Sequence, residues 1–266
     1  MNQTVSKTAK APASTQAKRL SEAQLGQVAA MLKDIESVEL KVTIPATAHR
    51  ATIRGLPLDP VEAEPRQVFF FDTPKLELYK AGIVVRARRM PHDKADTVIK
   101  LRPVVPADIP AKLRQFEACK VELDVVPGGL VCSASFKGKS TAEKISAVVE
   151  GKVPLKRLFS SDQAAFYRKY GPGRIELDDL ESLGPTFLLK SQFWVKKLDR
   201  KVVAELWLYP DGSRLLELST QVEPKDAFQA AADFQAWLTR RGVNTDGAQE
   251  TKTAAALKFF SAQLAR

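Results

Sequence analysis

Cysteine and histidine are scarce in this chain. Among 266 residues there are two cysteines, Cys119 and Cys132, and two histidines, His49 and His92. Two thiols cannot build a disulfide scaffold or a thiolate-based structural zinc site, and two imidazoles in loop-like surroundings argue against a histidine-rich metal centre. Long hydrophobic runs are missing too. No stretch of about 18 apolar residues occurs, so no spanning helix is predicted. The first residues lack the apolar core of a secretory signal, and a cytoplasmic protein is the expectation. Acid is in deficit: 41 Lys and Arg against 31 Asp and Glu give a net charge of +10. At 44% hydrophobic and 27% charged residues, the composition is that of a globular protein with a sizeable core. The basic excess asks for an anionic partner, or serves solubility.

Part of that excess is set apart. Residues 1–20 carry Lys7, Lys10, Lys18 and Arg19 with no acid, and are rich in Ala, Thr, Ser and Gln. This predicts a disordered basic tail. Ser21-Glu22-Ala23-Gln24 has the form of a capping box, and Leu25, Val28, Ala29 and Leu32 follow at helical spacing, predicting an N-terminal helix over 21–35. One domain is expected over 36–262.

From Ser37 the period changes to two. Strands are predicted at Ser37–Ile44, Arg66–Asp72, Ile83–Arg88, Val98–Arg102, Cys119–Val125, Arg174–Leu177, Gln192–Leu198, Val202–Tyr209 and Arg214–Gln221. Short turns between them favour an antiparallel sheet. Helices are predicted at 141–150 after a Ser140 cap, at 162–169 after Ser161, at 227–241 before Gly242, and at 253–264. In Tyr209-Pro210-Asp211-Gly212-Ser213 the order Pro, Asp, Gly suits a three-residue hairpin loop. Tyr209 then pairs with Ser213, and Glu205 falls opposite Glu217. Two facing carboxylates repel, so a Lys, an Arg or a metal ion should lie between them.

One charged strand face ordinarily meets water. Here such faces accumulate: Glu39 and Lys41; Arg86 and Arg88; Lys100 and Arg102; Lys120, Glu122 and Asp124; Glu205; Glu217 with Ser219. The opposite faces are Val, Leu, Ile, Ala and Cys. A sheet closed on itself satisfies both, with amphipathic helices on its apolar outside and the charges lining its interior. A lumen of bases and carboxylates suits a phosphate chain with Mg²⁺ or Mn²⁺. Nucleic-acid binding is disfavoured, because no basic strand face carries interleaved aromatics. Trp194, Trp207 and Trp237 read as packing residues, with Trp207 on the face of Glu205. Cys119 lies on an apolar face, and Asp72 reads as a turn residue.

The run Phe69-Phe70-Phe71-Asp72-Thr73-Pro74, continuing through Leu76, Gly82, Arg86 and Arg88, resembles the signature of the CYTH superfamily, the triphosphate tunnel metalloenzymes. Thr97-Val98-Ile99-Lys100 is similar to the family's lysine strand, and Thr251-Lys252-Thr253 to its closing Ser/Thr-Lys. The likeness runs over about 36–260, and 158–242 resembles bacterial members with a longer helical insert. It implies an α+β fold: a closed eight-stranded antiparallel β-barrel, with helices packed outside and a lumen that binds triphosphate. It implies a metal-dependent triphosphatase acting on inorganic triphosphate or a nucleotide. A class IV-like adenylate cyclase, or a non-catalytic polyphosphate or nucleotide binder, are the alternatives. Lys41, Arg86, Arg88, Lys100 and Lys252 would hold phosphates, with Arg102 beside them. Glu39 and Glu217 would serve Mg²⁺ or Mn²⁺, with Glu205 nearby. For a further cation on a later strand, Lys197 and Arg200 are the candidates. The pattern departs from the family at Ser37 and Ser219, where carboxylates are expected. A hydroxyl is a weak neutral ligand, so divalent affinity should fall.

Overall fold

The computed structural model describes residues 26, 29, 31–243, 245 and 252–264. The expected tail over 1–20, most of the helix over 21–35, and Thr251 lie outside the described residues. Nine strands form one closed barrel: β1 (Ser37–Ile44), β2 (Glu64–Asp72), β3 (Ile83–Arg89), β4 (Lys94–Leu101), β5 (Cys119–Val126), β6 (Gly129–Thr141), β7 (Glu181–Val195), β8 (Arg200–Leu208) and β9 (Arg214–Val222). Their order around the barrel is β1-β5-β6-β4-β3-β2-β7-β8-β9, and β9 pairs back on β1.

The closed α+β barrel agrees with expectation, but the strand number is nine rather than eight. The purely antiparallel arrangement also fails, since β1 and β5 run parallel. The two corrections have one cause. Directions cannot alternate around a ring with an odd number of strands, so one neighbouring pair must be parallel. The missed strand is β6. Its Ser, Ala and Gly content gives weak β-propensity, and it is held by hairpin pairing to β5 and by β4 on its other side. The strand expected at Arg174–Leu177 is absent; Leu177–Asp179 is a short 3₁₀ turn. Strand β7 begins at Glu181, well before the predicted Gln192.

Alternation sorts the side chains. In β1, Val38, Leu40, Val42 and Ile44 are buried and face outward, while Ser37, Glu39, Lys41 and Thr43 lie on the opposite, inward face. The outward apolar row is covered by helices. These include α1 (His49–Gly55), α2 (Glu77–Lys80), α3 (Ala111–Arg114), α4 (Ala142–Val149), α5 (Ser161–Tyr170) and α6 (Ala227–Arg240). Ile145 and Val148 of α4, Phe166 and Tyr167 of α5, and Phe234, Trp237 and Leu238 of α6 join this core. Burying each such large side chain favours folding by about 1.5–3 kcal/mol. Two caps sit one residue from the expected ones. Thr141, not Ser140, accepts the Lys144 N–H in α4. Ser160, not Ser161, caps α5, because only from Ser160 does Gln163 fall at the third position to close a capping box.

A second apolar cluster lies at one end of the barrel. Val68, Phe70, Leu183, Leu188, Trp207 and Leu215 point inward and meet Ala256, Leu257 and Phe260 of α7 (Lys252–Leu264). This C-terminal helix floors the barrel, and its first residue is Lys252. No helix among the described residues is long and apolar enough to cross a membrane.

Candidate functional site

Residues in register on adjacent strands share a face, so the pairing pattern assigns the lumen. Glu39 lies beside Asp124 across β1 and β5. Arg88 lies beside Asp96 across β3 and β4, Glu205 beside Glu217 across β8 and β9, and Lys190 beside Glu205 across β7 and β8. Arg86 and Lys100 project to the same side.

The first charge cluster centres on Asp124, whose side chain is 1% exposed. Lys41 Nζ is 2.9 Å from Asp124 Oδ1 and 2.9 Å from Glu39 Oε2. Arg102 Nη1 is 3.2 Å from Asp124 Oδ2, and Lys100 Nζ 3.8 Å. Burial opposes ionisation of Asp124, but the charges of Lys41, Lys100 and Arg102 outweigh it and hold its pKa below the ordinary value. Burial acts the other way on Lys100. Desolvation pushes it down to about 8, more than Asp124 restores. Arg102 follows β4 directly and is placed by Gly82. The Arg102 N–H donates to the Gly82 carbonyl at 2.7 Å. Gly82 has φ +76°, and a Cβ there would meet the Arg102 carbonyl at 2.9 Å, so a side chain would displace the strand end that carries Arg102.

The second cluster sits over the floor. The hairpin has the expected register: the Tyr209 N–H donates to Ser213 O at 3.1 Å, the Gly212 N–H to Tyr209 O at 3.0 Å, and Gly212 has φ +83°. The cation between the facing carboxylates is Lys252. Its Nζ lies 2.5 Å from Glu205 Oε2 and 2.7 Å from Glu217 Oε1. Trp207 is buried here, donating its indole N–H to Glu205 Oε2 at 3.2 Å, with the Lys252 ammonium 5.5 Å from its ring centre. Desolvation alone would lower the Lys252 pKa, but Glu205, Glu217 and Glu39 raise it. Glu205 is correspondingly low: Lys252 and the Trp207 N–H overcome its burial.

Between the clusters lies a cationic wall with few anions. Arg88 is ion-paired to Asp96, and Arg66 to Glu64 at 2.5 Å. Arg86 has no ion pair among the described residues, and the Nε atoms of Arg66, Arg86 and Arg88 are buried without a hydrogen-bond partner. Burial, then the like charge of Arg88, presses Arg86 down to about 10, so it stays charged at neutral pH. Lys190 is lowered by burial and by Arg66.

The lumen thus brings together Glu39, Lys41, Arg86, Arg88, Lys100, Arg102, Glu205, Glu217 and Lys252. Lys197 is exposed in the turn between β7 and β8, and Arg200 binds the Leu198 carbonyl at 2.8 Å. The later-strand cation that faces the lumen is Lys190, which sequence reasoning missed. Its signal was its place opposite Glu205, readable only once β7 is extended back to Glu181. Lys139, in register with Asp96, was missed with β6.

Each carboxylate expected to serve Mg²⁺ or Mn²⁺ is in contact with a lysine. Glu205 and Glu217 hold Lys252, and Glu39 holds Lys41. Ser37 donates to Glu122 at 3.4 Å, and Ser219 is buried in register with Lys41. Among the described residues no three His, Cys, Asp or Glu side chains converge on a metal-sized site. Asp72 has the expected turn role, accepting the N–H groups of Thr73, Leu78 and Tyr79 at 2.7, 2.9 and 2.9 Å. Cys119 is a core residue.

Neither a family model nor a curated relative matches the sequence. Solved structures do match in fold. A candidate adenylate cyclase from Bacillus halodurans aligns with TM-score 0.59 at 14% identity over 83% of this chain and 97% of that one. A candidate adenylyl cyclase from Hippeastrum with a dominant triphosphatase activity aligns with TM-score 0.61 at 14% identity, covering 85% and 96%. At this identity the likeness establishes the fold, a closed barrel floored and flanked by helices.

Proposed function

We propose that the lumen binds a linear triphosphate, free or carried by a nucleotide, and hydrolyses its terminal phosphoanhydride, as the CYTH-like signature implies. The observation that carries this reading is Arg86, a half-buried guanidinium whose Nε is buried without a partner and which has no ion pair among the described residues, set beside Arg88 on the lumen face that also carries Lys100. Cations desolvated without partners are costly, and a polyanion lying along them supplies the missing charge through charge-assisted hydrogen bonds. In hydrolysis a water oxygen bonds to the terminal phosphorus and the bridging P–O bond breaks. Its electron pair leaves with the diphosphate, and the water's proton passes to product or solvent. The lumen cations would stabilise the charge on the departing oxygens. The triphosphatase activity of the Hippeastrum protein supports this reaction.

A second reading, a binder that does not turn its ligand over, is favoured by Lys252 lying between the two carboxylates and by Ser37 and Ser219. A panel of tripolyphosphate, ATP and other nucleoside triphosphates, with and without Mg²⁺ and Mn²⁺, separates the readings. Phosphate release supports hydrolysis, tight binding without release supports the binder, and cyclic AMP from ATP marks a cyclase. Arg86→Ala should weaken binding about 10–100-fold, the worth of one or two charge-assisted hydrogen bonds. Unchanged affinity in that variant rejects the lumen as the site.

A further inference from the structure

We propose that Lys252 is the built-in counter-cation of the Glu205–Glu217 pair, so that the lumen takes its triphosphate free of divalent metal. This rests on the lumen being a triphosphate site. The hairpin register sets the two carboxylates face to face, and such a pair needs a cation. The fold provides one from within the chain. One oxygen of each carboxylate contacts Lys252 Nζ, at 2.5 and 2.7 Å. The lysine is fixed at its root as well as its tip. Tyr209 Oη donates to the Lys252 carbonyl at 3.0 Å, Ala256 and Leu257 are buried in the floor, and Ser261 Oγ donates to the Pro74 carbonyl at 2.7 Å. Moving the ammonium aside would leave its charge in a desolvated lumen or unseat the floor helix.

A divalent ion in that place would also be poorly coordinated. Mg²⁺ asks for about six oxygens in strict octahedral geometry. With Lys252 displaced it would find Glu205 and Glu217, while the neighbouring inward position of β9 is the neutral Ser219. Other lumen carboxylates are engaged elsewhere, Asp124 by three cations, Glu39 by Lys41 and Asp96 by Arg88. The ligand side points the same way. Arg86, Arg88, Lys41, Lys100 and Arg102 offer more positive charge than their carboxylates neutralise. A bare triphosphate satisfies them better than its magnesium complex, whose charge is already partly spent. Magnesium in solution should therefore compete with the protein for the ligand.

The test is calorimetric titration of the full chain with tripolyphosphate, in EDTA and then in excess Mg²⁺, alongside a titration with Mn²⁺ alone followed by its paramagnetic resonance signal. Binding is expected in EDTA and should weaken by about tenfold or more in excess Mg²⁺, and the wild-type chain should hold no Mn²⁺ that Glu217→Gln removes. Lys252→Met should gain Mn²⁺ binding, and Lys252→Arg should not. Tripolyphosphate binding that requires metal, or a wild-type Mn²⁺ site lost in Glu217→Gln, overturns the inference and leaves the triphosphate reading standing. Absence of binding under every condition overturns the triphosphate reading itself, and this inference with it. The wild-type titrations decide the matter even if Lys252→Met does not fold.

Discussion

At the Asp124 cluster one carboxylate faces three cations, whereas at the Lys252 cluster one ammonium faces two carboxylates. The clusters occupy the same barrel and are comparably buried, yet their electrostatics are opposite. The Lys252 cluster is closed: its cation is neutralised by two short carboxylate contacts, and the Trp207 indole adds a hydrogen bond to Glu205. The Asp124 cluster is open: Asp124 is shared among three cations, Glu39 meets Lys41 alone, Lys100 is held 3.8 Å away, and Arg86 on the same lumen face has no ion pair among the described residues. A closed cluster fixes structure, here the seat of the floor helix. An open one is poised for a ligand that brings negative charge.

The sharpest way to break this contrast is Asp124→Asn. Removing the shared anion leaves Lys41 with Glu39 alone and Lys100 and Arg102 without an ion pair among the described residues, and about 3–5 kcal/mol of stability should be lost. Urea unfolding with and without tripolyphosphate checks this. A triphosphate should restore much of the loss if the cluster is a ligand site, whereas an equal loss in both conditions would make it structural only.

The pH dependence is the next largest effect. Lys100 loses its proton near pH 8 in the folded chain, while an ordinary lysine holds it to 10.5. Between these values the unfolded chain binds more protons, so stability should rise with pH across that window. Triphosphate affinity should move the other way, falling toward tenfold per pH unit above about 8 as the ammonium is lost. In Lys100→Arg, which stays charged, the affinity should remain level to pH 9.5 or so. Titrations at several pH values decide, and a wild-type curve that is already flat would remove Lys100 from the open cluster.

The smallest effect separates Lys190 from Lys197. Lys190→Met should weaken triphosphate binding by several-fold, about 1 kcal/mol. Lys197→Ala, at an exposed turn, should stay within about 0.5 kcal/mol of wild type. The reverse ranking would mean that the turn between β7 and β8 folds over the lumen when ligand is bound.

Much of the site was legible because strand alternation is local. Glu39 and Lys41, Arg86 and Arg88, and the facing of Glu205 and Glu217 all follow from period two and one hairpin loop. Lys252 was suggested only by family resemblance, and the need for a cation between the two glutamates came from the hairpin; nothing in the sequence joined the two. Lys190 and Lys139 were hidden because β7 and β6 are defined by partners rather than by their own residues. Ser133, Ser135 and Gly138 do not read as strand, but pairing to β4 and β5 makes them so. The cap of α5 shifted by one residue because the Gln163 side chain, three positions after Ser160, closes a capping box there; the shift at α4 from Ser140 to Thr141 left no such mark in the sequence.

The sequence by itself determined which side chains alternate between a greasy and a charged face, that the charged faces carry both signs, and where one hairpin turns. These are properties of neighbouring residues and of bond geometry. Only the tertiary structure decided that nine strands close the ring, that one pair must then run parallel, and which charges neutralise one another. Ion pairing inside a barrel joins residues as far apart as Glu205 and Lys252, and the seating of the floor helix brings them within reach. That assignment, one lysine spent on two carboxylates and one aspartate stretched over three cations, is what leaves Arg86 waiting for an anion.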